Sequence, residues 1–148
     1  GAELSGIHWA GNPLPKQDYE ISLQAKRTMG SDFFCGLTFP YKESHATLIL
    51  GGWGGSLIGI SSIDDFDASE NETGDAFIFE ENQWYDIRLR VTGSEFTVWI
   101  DNEEVIDCEV EGRRVGMRIG EIEMSVPLGL CTFATSAKMR DIKMRTLP

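Results

Sequence analysis

The 148-residue chain is poor in histidine, cysteine and proline, and it has no Lys or Arg between Lys42 and Arg88. His8 and His45 are its two imidazoles, so a multi-histidine zinc site within one chain is excluded, and no nucleophile elbow or hydrolase triad is recognisable. No apolar run approaches the roughly eighteen residues of a membrane-spanning helix. The formal charge of −11 removes the general basic surface that nucleic acid binding needs. Cys35, Cys108 and Cys131 are odd in number and lack metal-type spacing. Each lies in an apolar strand-like run and reads as a small buried hydrophobe. A sustained helical stripe with caps is also missing.

What is present is the period of strands. From Trp84 to Val91, Ile87, Leu89 and Val91 fall on one face and Asp86, Arg88 and Arg90 on the other. Thr92-Gly93-Ser94-Glu95 turns, Phe96, Val98 and Ile100 form the next inward row, and Asp101-Asn102-Glu103 turns again before Val105 to Val110. Further strands are expected at Tyr19 to Ala25, Phe33 to Tyr41, Ala46 to Leu50, Leu57 to Ile60 and Ala76 to Phe79. Val115 to Ile119, Gly129 to Ala134 and Met139 to Leu147 complete the set. So many short strands predict an all-β fold of two packed antiparallel sheets, a β-sandwich. A single domain over residues 1–148 is expected, with residues 1–18 as a lead-in and 19–148 as the core.

Two neighbouring stretches carry chemistry. Gly51-Gly52-Trp53-Gly54-Gly55 surrounds a large aromatic with glycines, which permits the indole to stand out from the surface. The run from Ile63 to Asp75 then concentrates Asp64, Asp65, Asp67, Glu70, Glu72 and Asp75. A flat ring beside carboxylates suits a sugar; equally, the ring folds over a sheet edge and the acids form a solvated turn. From Arg113 onward the charge balance reverses, so the acidic and basic regions face one another or meet a neighbouring chain. Asp65-x-Asp67-x-Ser69-x-Asn71 has the alternating oxygen spacing of a calcium loop. Glu70 in place of the sixth-position glycine and Ala76 in place of the twelfth-position glutamate depart from an EF-hand. Calcium at Asp65, Asp67 and Asn71 therefore competes with hydrogen-bonded turn carboxylates.

The block Trp84-Tyr85-Asp86-Ile87-Arg88-Leu89-Arg90-Val91, followed by Val98-Trp99-Ile100-Asp101-Asn102-Glu103-Glu104-Val105, resembles the central strands of concanavalin A-like jelly rolls. The ending from Gly129 to Thr135 and from Arg140 to Leu147 does so too. Within that lectin and glucanase superfamily the chain is most similar to the 3-keto-disaccharide hydrolase domain family, a bacterial family in which Trp53 through Thr73 reads like the planctomycete version. The resemblance runs from about Tyr19 onward. It implies a secreted, periplasmic or surface-attached domain that binds or processes carbohydrate on a concave sheet face or loop rim. Trp53, Asp64, Asp67 and Asn71 are the rim candidates. Trp99 alternates away from Val98 and Ile100 and lines the opposite face of its strand, or packs beneath a loop.

A hydrolase needs two carboxylates about a glycosidic bond. Glu121-Ile122-Glu123 resembles the opening of the Glu-x-Asp-x-x-Glu motif of jelly-roll glucanases, but Ser125 and Val126 stand where the final glutamate belongs. Asp65 and Glu70 are the remaining acid/base candidates. His45 reads as a surface histidine at a turn. Three readings stand: a carbohydrate-interacting jelly-roll module, a hydrolase or lyase of 3-keto-disaccharides, and a non-catalytic module for assembly with parent-protein domains or itself.

Overall fold

A computed structural model describes residues 4–117 and 126–148. Among the described residues, eleven strands form two antiparallel sheets and no helix occurs. The six-stranded sheet joins β1 (Leu4–His8), β10 (Gly129–Phe133), β3 (Cys35–Tyr41), β4 (Ser44–Gly52), β5 (Leu57–Ser61) and β6 (Asp75–Ala76), in that order. The five-stranded sheet joins β11 (Thr135–Thr146), β2 (Tyr19–Gly30), β7 (Tyr85–Val91), β8 (Glu95–Ile100) and β9 (Glu103–Glu109). The two-sheet sandwich expected from the strand period is the one observed.

Alternation decides which side chains meet between the sheets. Ile21 and Leu23 of β2, Ile87 and Leu89 of β7, and Phe96 and Val98 of β8 are buried against Leu37, Phe39, Leu48 and Ile60 of the six-stranded sheet. Phe96 receives Phe39 and Tyr41 edge-on at 5.1 and 4.9 Å between ring centroids, the geometry that the aromatic quadrupole favours. Tyr19 donates its hydroxyl to the Pro40 carbonyl, tying β2 to the opposite sheet, and burial pushes its phenol above the ordinary range. Asp101 and Asn102, at φ of +50° and +67°, make the two-residue turn that matches the twist of β8 and β9. Cys35, Cys108 and Cys131 are free and buried. Burial pushes the Cys108 thiol up to about 11.

The two sheets differ in what covers their outer faces. On the six-stranded sheet, β3 and most of β4 are buried on both sides. Ala68 lies over Gly59, where an added Cβ would meet the Ala68 Cβ at 2.8 Å. Met117 packs with Phe33, Ile49 and Cys131. On the five-stranded sheet the outward row of β7 (Asp86, Arg88 and Arg90) stays at least partly exposed.

Strand ends depart from the alternation where bulges interrupt it. The final strand begins at Thr135, ahead of the expected Met139, and shifts register between Ser136 and Ala137 and between Arg140 and Lys143. Within the expected lead-in, Leu4–His8 pairs with β10 as an edge strand. Of the strand expected at Val115 to Ile119, Val115 forms an isolated bridge to Ile63, while residues 118 and 119 lie outside the described residues.

Candidate functional site

The acidic run after β5 is organised as a hydrogen-bonded loop. Ile63 and Phe66 exchange backbone bonds of 3.1 and 3.0 Å around Asp64 and Asp65. Asp64 accepts from Arg113 Nε at 2.9 Å and from the Arg114 backbone N–H at 3.1 Å. The Arg113 bond, ahead of that from the Arg114 backbone, holds the Asp64 carboxyl below the usual carboxylate range. Arg113 also pairs with Glu72, and Arg114 with Asp65 at 2.7 Å. The acidic and basic stretches of the sequence thus meet within one chain. Asp67 accepts from Ser61 Oγ and from the Ala68 N–H. The Asn71 amide donates to the carbonyls of Ile60 (2.7 Å) and Phe66 (3.0 Å), and its oxygen accepts from the N–H and hydroxyl of Thr73. Glu70 donates its N–H to the Asp67 carbonyl and has an exposed side chain.

Of the oxygens expected as calcium ligands, Asp65 Oδ2 pairs with Arg114, and Asp67 Oδ1 and the Asn71 carboxamide oxygen take part in the loop's own bonds. Among the described residues, no three His, Cys, Asp or Glu side chains are gathered to hold a metal ion.

Trp53 lies in the turn between β4 and β5, at φ +48°, and is 41% exposed. Behind the turn Arg27 donates to the carbonyls of Gly55 (3.0 Å) and Asp32 (3.3 Å). Asp64 follows the other end of β5, a strand that spans about 17 Å at ~3.4 Å per residue. The indole and Asp64 therefore occupy opposite ends of the strand, while Asp75 pairs with Ile58 near its start. His45, in β4, pairs with Pro40 of β3, and partial burial lowers its imidazole below the usual value. Glu121 and Glu123 lie outside the described residues.

Trp99 is placed differently, on the outer face of the five-stranded sheet. Its register partner Arg88 sets a guanidinium 3.9 Å from the indole centroid, and Arg90 lies at 5.1 Å. The indole edges a cavity of about 280 Å³ whose walls include Arg88, Asp86, Gln24, Asn102 and Lys143. Gln24 fixes its carboxamide between two charged groups, accepting from Arg140 Nε at 2.7 Å and donating to Asp86 at 2.6 Å. An aromatic wall with several oriented donors and acceptors is the composition of a small-ligand site. Sequence reasoning singled out Trp99 but missed Gln24, Asn102 and Lys143, which come from other strands and turns. The alternation of Ser22 and Gln24 with buried Ile21 and Leu23 was the available signal.

Residues 7–145 match the sequence profile described as the 3-keto-alpha-glucoside-1,2-lyase-like domain. No relative among curated proteins matches the chain. Among solved structures, a carbohydrate binding module, CBM66 of Bacillus subtilis, is similar with a TM-score of 0.61 and 15% identity, over 99% of this chain and 84% of that one. A double variant of human galectin-16 gives 0.57 and 12%, over 96% and 94%. The galectin LEC-6 of Caenorhabditis elegans gives 0.53 and 11%, over 94% and 89%. At these identities the likeness establishes the jelly-roll fold alone.

Proposed function

The chain belongs to the 3-keto-alpha-glucoside-1,2-lyase-like domain family, and from that membership we propose that it is a carbohydrate-interacting jelly-roll module holding a glycan against Trp99. One observation carries this reading: the outer-face cavity puts an indole beside Arg88, Asp86, Gln24 and Asn102. A sugar presents an apolar C–H face and a rim of hydroxyls. The indole serves the first, and the charged and amide groups serve the second. The two carboxylates of the wall, Asp86 and Asp141, accept hydrogen bonds from hydroxyls, while Arg88 and Lys143 donate. For such a module the family resemblance suggests a secreted, periplasmic or surface-attached setting.

Titration with a broad glycan array, followed by tryptophan fluorescence, tests the reading. Trp99→Ala is expected to weaken the responding glycan at least about tenfold, equivalent to ~1.4 kcal/mol. Silence across the array, or a response retained in Trp99→Ala and lost in Trp53→Ala, overturns the site.

A catalytic reading is favoured by the family description. It requires a carboxylate able to exchange a proton with substrate. Asp64 and Asp65 are held by Arg113 and Arg114, so Glu70 is the loop's better candidate. Turnover of a 3-keto-glucoside that falls in Glu70→Gln would establish an enzyme there; the binding-module reading predicts no turnover by the unaltered protein.

A further inference from the structure

On the outer face of the five-stranded sheet, residues from four strands line up in rows. One row runs Lys143, Ser22, Arg88, Trp99 across β11, β2, β7 and β8. The next runs Arg145, Glu20, Arg90, Thr97. On the other side lies Arg140, Gln24, Asp86, and beyond it Lys138 and Lys26 beside Trp84. Across the β11, β2 and β7 part of this face, seven cationic side chains stand against the carboxylates of Glu20, Asp86 and Asp141. This occurs in a chain whose formal charge is −11.

The pairing within the face is unbalanced. Arg88, Arg90 and Arg145 all reach the one Glu20 carboxylate, at 3.6, 3.1 and 3.4 Å, and Glu20 is only 6% exposed. Three guanidiniums on one carboxylate leave an excess of positive charge on this face, and of the three Arg88 lines the cavity, together with Lys143, Asp86 and Asp141. Two indoles carry guanidiniums on the same face, Trp99 under Arg88 and Trp84 under Arg140 at 3.8 Å. Toward β9 the sign changes. Trp99 pairs with Glu104 and Thr97 with Asp107, and Asp107 raises the Glu95 carboxyl above its usual range.

Resting on the proposal that the Trp99 cavity takes a sugar, we infer that its ligand is an acidic glycan, bearing carboxylate or sulfate groups and lying across the strands from Trp99 toward β11. The sugar ring meets Trp99, and the anionic substituent meets Ser22, Arg88 and Lys143. Three strand spacings of ~4.8 Å make this row about 14 Å long, room for more than one ring. The acidic β9 edge repels the anion and fixes its direction.

The test measures binding of polygalacturonate, alginate, hyaluronan and chondroitin sulfate by calorimetry, with fully methyl-esterified pectin as the uncharged counterpart of the first. The inference expects at least one acidic glycan to bind, and to bind about tenfold or more tighter than neutral glycans. Affinity is expected to fall steeply as salt rises from about 0.01 to about 1 M, where the screening length drops from ~30 to ~3 Å. Lys143→Gln is expected to weaken binding about tenfold; Lys16→Gln, altering a cation paired with Glu43 away from this face, is expected to leave it unchanged. Equal affinity for acidic and neutral glycans overturns the acidic preference and leaves the sugar site standing. Binding of neutral glycans alone, lost in Trp99→Ala, does the same. Failure of every glycan overturns both, and equal binding of inorganic polyphosphate reduces the face to a general polyanion surface and overturns the glycan assignment.

Discussion

At Asn71 the carboxamide donates to the Ile60 and Phe66 carbonyls and accepts from Thr73. Truncation strands these partly buried groups together, so Asn71→Ala is expected to lower stability by about 2 kcal/mol, read by urea denaturation. Glycan binding at Trp99 should not change, since Asn71 lies in the loop between β5 and β6 of the opposite sheet. The two tryptophans make a similar contrast. Trp53 is exposed on a turn, whereas Trp99 is held by two guanidiniums at the wall of a cavity. Accordingly Trp53→Ala should leave glycan affinity within about twofold, against the tenfold loss expected for Trp99→Ala.

Charge pairs act at the level of strands and loops. The Arg113 bond lowers the Asp64 carboxyl, so the stability this pair lends is present above the ordinary carboxylate range and is lost as pH falls through the depressed value. Asp64→Asn should flatten the acid limb of a stability-against-pH curve; an unaltered limb contradicts the pairing. Between β8 and β9 the sign is opposite. Asp107 raises the Glu95 carboxyl, so the favourable neutral form is complete below the ordinary range and is lost as pH rises through the raised value. Glu95→Gln is therefore expected to melt higher than the unaltered protein at neutral pH and no higher in acid. Like charges across a strand pair weaken it.

The sandwich as a whole was legible because its signal is local. Inward rows such as Ile87, Leu89 and Val91 alternate within one strand, and nothing distant is needed to see them. Bulged β11 was harder, since its register shifts at Arg140 and Lys143 break the alternation. The site was less legible than the fold. Trp53 and Asp64 are neighbours in sequence, yet β5 separates them, while Arg113 reaches Asp64 from almost fifty residues away. The row from Lys143 to Trp99 draws on four strands that are scattered along the chain. Strand order creates that row, and strand order is not written in any local period.

On our proposal this jelly roll receives a glycan at Trp99 on the outer face of its five-stranded sheet. The chain has four tryptophans, so its indole N–H signals can be followed individually by ¹⁵N-labelled NMR after assignment by substitution. On titration with the best-binding glycan, the Trp99 indole should shift most, Trp84 less, and Trp53 and Trp9 should stay in place. A dominant shift at Trp53 with Trp99 unmoved would contradict binding at Trp99.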